Sequence, residues 1–245
     1  MNILICIDDT DNLESKGTGH LAEILRHDIE KLYNGKTSRI TRHQLYVCDE
    51  IPYTSHNSAM CFIAEMDPVY LNEMIDYAGK MLTQKSADGS DPGLCVAVTD
   101  SIYYKDELIR YGIDATKKVL TKADAIALAD RMKIHLSEHG GTGGGIIGAL
   151  AGIGLRLSGN NGRFKGWIDV EESRRNMTVN DIISNFDIDE VRSAEGILPD
   201  PEDMIILGSR IKTVLLGEKS VLLVKKKSSG DFLWESLAKE ELRKY

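Results

Sequence analysis

NILICIDDTD, residues 2–11, is the stretch from which the fold is read. Its first six residues form an apolar, β-branched run typical of a buried strand, and Asp8-Asp9 cut that strand off. A helix is expected over 20–33, where Leu21, Leu25, Ile29 and Leu32 recur at helical spacing. Two strands follow at 44–48 and 60–65, separated by a polar loop around Ile51-Pro52-Tyr53. A second helix over 70–82 carries Leu71, Met74, Ile75, Ala78 and Met81 on one face. The turn-rich stretch SADGSDPG (86–93) then leads into an apolar strand at 94–99. The order β-α-β-β-α-β predicts an α+β chain whose first domain is ferredoxin-like.

Beyond residue 99 the pattern loosens. A helix is expected over 123–139, with Ile126, Ala129, Met132 and Leu136 as its apolar side, and GGTGGG (140–145) opens a small-residue helix from Ile146 to Gly154. Strands are predicted at 167–170, 204–207 and 221–224, a short helix at 179–186 and a polar tail helix at 232–245. The boundary is placed between 110 and 111. It separates a kinase-like ATP- and Mg²⁺-binding domain from a mixed α/β, ferredoxin-like domain that carries the glycine loop.

The chain has 245 residues, 42% of them hydrophobic and 28% charged, which is enough for a real core. Lys and Arg number 30 against 38 Asp and Glu, so the net charge of −8 argues against broad capture of nucleic acid. The N-terminal segment has no basic region and ends in carboxylates, so it reads as neither signal peptide nor membrane span. The four cysteines (6, 48, 61, 95) form no C-x-x-C pair and sit in apolar segments, as reduced core thiols of a cytoplasmic protein do.

Asp8, Asp9 and Asp11 crowd three carboxylates into four residues at a strand end, where packing alone gives no reason for them. A hard divalent cation such as Mg²⁺ would remove the repulsion; an acidic turn capping the next helix is the plainer alternative. Gly17-Thr18 opens the first helix, so Thr18 is either a cap or a phosphate contact. The tract Gly141-Thr142-Gly143-Gly144-Gly145 can turn its N–H groups inward as an anion-binding nest, or act as a hinge. It fits neither the P-loop nor the dinucleotide fingerprint. His135 and His139 share a helical spacing suited to zinc but lack a third ligand, which leaves two polar residues at a helix end. Lys225-Lys226-Lys227 reads as a solvated strand end.

IDDTD at 7–11, with Thr18 and Leu21-Ala22, resembles the N-terminus of the archaeal tRNA(Ile) agmatinylcytidine synthetase family. Ile51-Pro52-Tyr53 with Asn57 and Ala59, Asp91-Pro92-Gly93, and Gly145 with Ile147-Gly148-Ala149-Leu150-Ala151 agree with it in order. That family uses ATP to attach agmatine to a tRNA cytidine. The resemblance implies a kinase-like catalytic domain beside a ferredoxin-like one. It also implies Mg²⁺–ATP held by Asp8, Asp9 and Asp11, with Thr18 as phosphate contact or phosphoacceptor. The chain departs from the family at Thr54-Ser55-His56, where the family is basic, and at Asp91, where it has asparagine. It ends at Tyr245, where the family continues into an OB-fold and a zinc ribbon.

The expectation is therefore a cytoplasmic, Mg²⁺- and ATP-dependent enzyme that activates a small acceptor by phosphoryl transfer, with no membrane partner and with homodimerisation allowed. Asp8, Asp9, Asp11 and Thr18 are the catalytic set; Gly17, Thr18 and Gly141 to Gly145 contact the nucleotide. The alternatives are a non-catalytic nucleotide- or anion-binding module, and a tRNA-modifying enzyme whose partner protein grips the RNA.

Overall fold

The computed structural model describes residues 1–51, 57–227 and 234–245. It divides into two compact units, 1–158 and 159–245. Helices and strands are mixed around a large mixed sheet, consistent with the α+β expectation.

The first unit runs β1 (Asn2–Asp8), α1 (Thr18–Tyr33), β2 (Lys36–Thr37), β3 (Thr41–Gln44), β4 (Ser58–Glu65), α2 (Leu71–Lys85), β5 (Gly93–Val98), α3 (Lys105–Ala115), α4 (Lys122–Met132), β6 (His135–Glu138) and α5 (Gly145–Leu157). Its sheet has the order β6-β5-β1-β4-β3, with neighbours antiparallel and β2 beside β4. The run at 3–7 is apolar at both parities because both faces of β1 are covered. Ile3, Ile5 and Ile7 pack with Leu25 and Ile29 of α1 and with Met74 and Leu82 of α2. Leu4 and Cys6 pack on the other side with Leu108 of α3 and with Ala149, Leu150 and Ile153 of α5. Successive strand residues point to opposite faces, so a strand buried on both sides loses its polar alternation. The sheet thus has helices on both faces.

Several expectations are corrected. The strand placed at 44–48 pairs only through Gln44, because Leu45 and Tyr46 turn away to bond the Asn57 and Ala115 carbonyls at 2.9 Å each. Helix α3 lies where no element was expected and packs against α5. The domain boundary set between 110 and 111 would cut α3 in two; the division falls after Ser158. The helix expected over 123–139 stops at Met132, where Lys133 takes the left-handed conformation (φ 56°) that ends it. Residues 135–138 then join the sheet as β6, so His135 and His139 do not share a helix face. Cys6, Cys61 and Cys95 stand abreast on β1, β4 and β5, buried and free, as core thiols. Burial, with the neighbouring thiols, pushes Cys6 and Cys95 well above the usual thiol range.

The second unit contains β7 (Arg163–Phe164), β8 (Ile168–Asp169), β9 (Asn176–Thr178), α6 (Val179–Asn185), β10 (Glu190–Ser193), β11 (Met204–Ile206), β12 (Arg210–Ile211), β13 (Val214–Leu216), β14 (Lys219–Lys226) and β15 (Trp234–Ser236). Strand β14 is its spine, flanked by β13, β15 and a parallel β10. Ile182, Val191, Ile205, Leu222 and Trp234 form its core. A capping box between Thr178 and Asp181 starts α6, the α-helix among the described residues of this unit, where a βαββαβ repeat would use two. The tail helix expected at 232–245 is instead β15 and one 3-10 turn at Glu241–Lys244; residues 232 and 233 lie outside the described residues. No helix among the described residues is long and apolar enough to cross a membrane.

Candidate functional site

Strand β1 delivers Asp8 to the edge of a cavity of about 250 Å³ whose described lining belongs to the first unit. Asp8, Asp9, Asp11 and Thr18 line one wall; Asp91 and Thr142, Gly144, Gly145 and Gly148 line the wall adjoining it. Three stretches far apart in sequence meet here because β5 pairs beside β1, with Asp8 facing Gly93, and α5 crosses both strands. The close crossing needs glycine: a Cβ on Gly148 would stand 1.7 Å from Asp8 Oδ2, and one on Gly152 would stand 2.3 Å from Cys6 Sγ.

Asp8 is the last residue of β1 and is buried at 7% exposure. Asp9 adopts a left-handed φ of 51°, a conformation that Asp tolerates better than most side chains, and so turns the chain out of the sheet. Burial first, then the Asp9 charge, pushes the Asp8 carboxyl from 3.8 up to about 8. Burial, then Asp91 and Asp11, pushes Asp9 up to about 6, although the Asp91 backbone N–H works against the rise. Each carboxylate is thus held where its charge is poorly compensated.

Thr18 does not cap α1. Gly17 occupies the cap position, with φ 83°, and the Thr18 hydroxyl donates to Asp11 Oδ1 at 2.8 Å while accepting the Thr10 N–H at 3.3 Å. The pair clasps the loop between β1 and α1 and orients a hydroxyl at the cavity wall.

The glycine tract is ordered by its neighbours. Gly141 and Gly143 take left-handed φ values of 55° and 75°. The Thr142 N–H donates to Asp91 Oδ1 at 2.6 Å, and the Thr142 hydroxyl bonds Asp91 Oδ2. The Gly145 N–H donates to the Asp91 carbonyl at 3.0 Å. Lys122 fastens the tract from outside, donating to the Thr142 carbonyl at 2.5 Å and pairing with Glu138 at 2.8 Å. The stretch expected to be a nest or a hinge is a latched turn with an internal carboxylate against it.

Residues to which the sequence reading gave no site role complete the cavity. Lys118, from the segment linking α3 and α4, brings a cation to it and pairs with Asp114 at 3.1 Å; it went unread because α3 did. Asp91 sat in a turn-rich stretch and looked like a turn residue. Only the β1–β5 register places it beside Asp9. Asn57 lines the cavity and donates to the Tyr46 carbonyl at 2.7 Å. Pro52 and Tyr53 of the family resemblance lie outside the described residues. His135 and His139 lie elsewhere, each with Nε2 on Ser137 Oγ, at 2.9 and 2.8 Å. Lys225 pairs with Glu241 at 2.8 Å in the second unit.

Among the described residues, no group of three or more His, Cys, Asp or Glu side chains is arranged to hold a metal ion. Two carboxylates with poorly compensated charge are nevertheless a donor set that suits Mg²⁺, which takes one or two protein carboxylates and leaves its other positions to water and phosphate oxygens. Asp8 and Asp9 fit that role; Asp11 is engaged by Thr18.

Solved structures of two tRNA-directed enzymes share this fold. The particular neighbours are TiaS, an agmatidine synthetase for an isoleucine tRNA, and a tRNA fluorescent labeling enzyme. The complex of TiaS with its isoleucine tRNA and ATP matches with a TM-score of 0.56 and 21% identity, over 82% of this chain and 50% of that one. The complex of TiaS with the same tRNA, AMPCPP and agmatine gives 0.54 and 20%, over 82% and 51%. The labeling enzyme gives 0.55 and 22%, over 74% and 42%. The chain therefore spans about half the length of these neighbours, and at such identities the likeness is one of fold. No family model and no curated protein matches the chain.

Proposed function

We propose that the chain is a Mg²⁺-dependent, ATP-using enzyme that activates an acceptor by phosphoryl transfer. The observation that carries this reading is the convergence in one cavity of Asp8, Asp9 and Thr18 with Thr142, Gly144 and Gly145 of the glycine tract; Gly17, Gly141 and Gly143 shape the neighbouring turns and do not line it. Phosphoryl transfer asks a protein mainly to position groups and offset charge. Asp8 and Asp9 would hold Mg²⁺, which when bound supplies charge neutralisation for the phosphates. Thr18 presents its hydroxyl with the proton directed at Asp11, the arrangement a phosphoacceptor needs; as a phosphate contact it would turn that proton from Asp11 to the ligand. Gly17 supplies the left-handed turn that leads the chain into Thr18. Gly144, at the start of α5, adds no side chain where the helix's positive end would meet a phosphate, while Gly145 admits the close packing of the Asp91 and Gly93 backbone.

In this reading the core of the first unit is a ferredoxin-like βαββαβ sheet, supported by the antiparallel order β5-β1-β4-β3, and the protein works in the cytoplasm. The neighbours favour a second reading of the acceptor. TiaS was solved with an isoleucine tRNA, ATP and, in a further complex, agmatine, so tRNA is an acceptor to test beside small molecules, with a partner protein supplying the grip.

The test is incubation of the purified chain with ATP and Mg²⁺, followed by analysis for ADP, AMP and phosphothreonine. Turnover that disappears in Asp9→Asn with the fold intact supports the reading. Saturable binding with no product points to the non-catalytic module instead, and turnover equal to wild type in Asp9→Asn rejects the assignment of the site. RNA that co-purifies with the chain selects the tRNA acceptor.

A further inference from the structure

The carboxylate of Asp91 sits where a bound anion is expected. It takes the Thr142 N–H at 2.6 Å and the Thr142 hydroxyl, two donors of the turned glycine tract. The tract is shaped around it: a Cβ on Gly141 would stand 1.7 Å from Asp91 Oδ1, and one on Gly144 would stand 3.3 Å from Asp91 Oδ2. The Asp91 main chain also engages both walls, its carbonyl accepting the Gly145 N–H and its N–H bonding the Asp9 carboxylate. An ordinary turn aspartate would bond its own turn. Asp91 instead reaches 51 residues along the chain to bond Thr142.

We propose that Asp91 is a self-supplied anion: its carboxylate fills the glycine-loop donors of the unliganded chain, and a polyphosphate ligand must displace it to engage them. This rests on the reading of the cavity as a phosphate site and adds a positioning residue that sets its affinity. Asp91 holds the loop in its binding shape and competes with the ligand for Thr142. If the loop is free of Asp91 one-tenth of the time, the apparent affinity for phosphate is about tenfold below the intrinsic one. A ligand arriving with its own divalent cation meets less repulsion from Asp91 than a bare polyphosphate does. The device therefore selects metal-bound over metal-free ligand.

The test compares wild type with Asp91→Asn, which keeps shape and an acceptor for Thr142 but removes the charge, and with Asp91→Ala, each checked by thermal melting. Tripolyphosphate without metal and ATP with Mg²⁺ are titrated calorimetrically into each, and amide exchange is followed over 140–147 without ligand. The expected result is tripolyphosphate binding about tenfold tighter in Asp91→Asn, a smaller gain for Mg²⁺–ATP, and faster exchange of the Thr142 amide in both variants. Unchanged or weaker tripolyphosphate binding in both variants overturns the proposal, as does unchanged exchange. If Mg²⁺–ATP binds to none of the three proteins while tripolyphosphate still binds tighter in Asp91→Asn, the nucleotide reading fails and the self-supplied anion stands.

Discussion

The two walls of the cavity hold similar amounts of ligand-ready chemistry, yet one is electrostatically open and the other closed. At Asp8-Asp9 the carboxylates are buried, crowd one another and are driven up to about 8 and 6. At 141–145 the backbone donors already have an anion, Asp91, and the loop is buttoned down by Lys122. The strand end thus calls for a cation from outside, while the glycine tract has its counter-charge built in. Perturbed carboxylates mark one half of a site, and satisfied donors can hide the other half.

Perturbing the open wall should have the largest effects. Asp9→Asn is expected to lower ATP turnover on the order of 100- to 1,000-fold, the scale on which removing one preorganised electrostatic group acts, as measured by ADP or AMP release. Asp8 should show in stability. Its carboxyl is raised in the folded chain, so the folded chain holds the proton more tightly than the unfolded one. The contribution is fully present below about pH 4 and is lost as pH rises through about 8. Asp8→Asn removes that slope. Melting curves should find it more stable than wild type by ~5 kcal/mol at about pH 8.5, with little difference at about pH 4. Added Mg²⁺ should narrow the gap at the alkaline end by stabilising wild type alone.

Where the walls touch, Gly148→Ala sets helix propensity against space. Propensity alone would favour alanine by about 1 kcal/mol, but the new Cβ meets Asp8 Oδ2. Overpacking costs about 1–3 kcal/mol, so the melting temperature should fall and the pH slope from Asp8 should change with it. The closed wall should respond least. Lys122→Met removes a half-exposed ion pair and one bond to the Thr142 carbonyl, worth less than about 1 kcal/mol, and a melting shift larger than that of Gly148→Ala would reverse the ranking.

Much of the first unit was legible because its signals are local. The run at 3–7, the spacing of Leu21, Leu25 and Ile29, and that of Met74, Ala78 and Met81 each report one face of one element. The second layer of helices was harder to read. Leu108 and Tyr111 of α3 form a short apolar face, and the need for α3 shows only once α5 is seen on the far side of the sheet. His135-Leu136-Ser137 continued a helical spacing by coincidence, and the left-handed turn at Lys133 that breaks it has no glycine to announce it. In the second unit, strands of two to four residues around β14 are set by pairing partners distant in sequence, which periodicity does not reveal. Within the site, Asp8, Asp9, Asp11 and Thr18 were legible because they crowd together in the chain. Asp91, Lys118 and Asn57 join them only through strand register and loop packing.

The central claim is that the acidic strand end, Thr18 and the glycine tract form one Mg²⁺–nucleotide site. Calorimetric titration of ATP into wild type and Asp9→Asn, with and without Mg²⁺, tests it most directly. Wild type is expected to bind ATP saturably and one-to-one only when Mg²⁺ is present, with binding lost or sharply weakened in Asp9→Asn. Equal affinity in the two proteins, or wild-type binding indifferent to Mg²⁺, would contradict it.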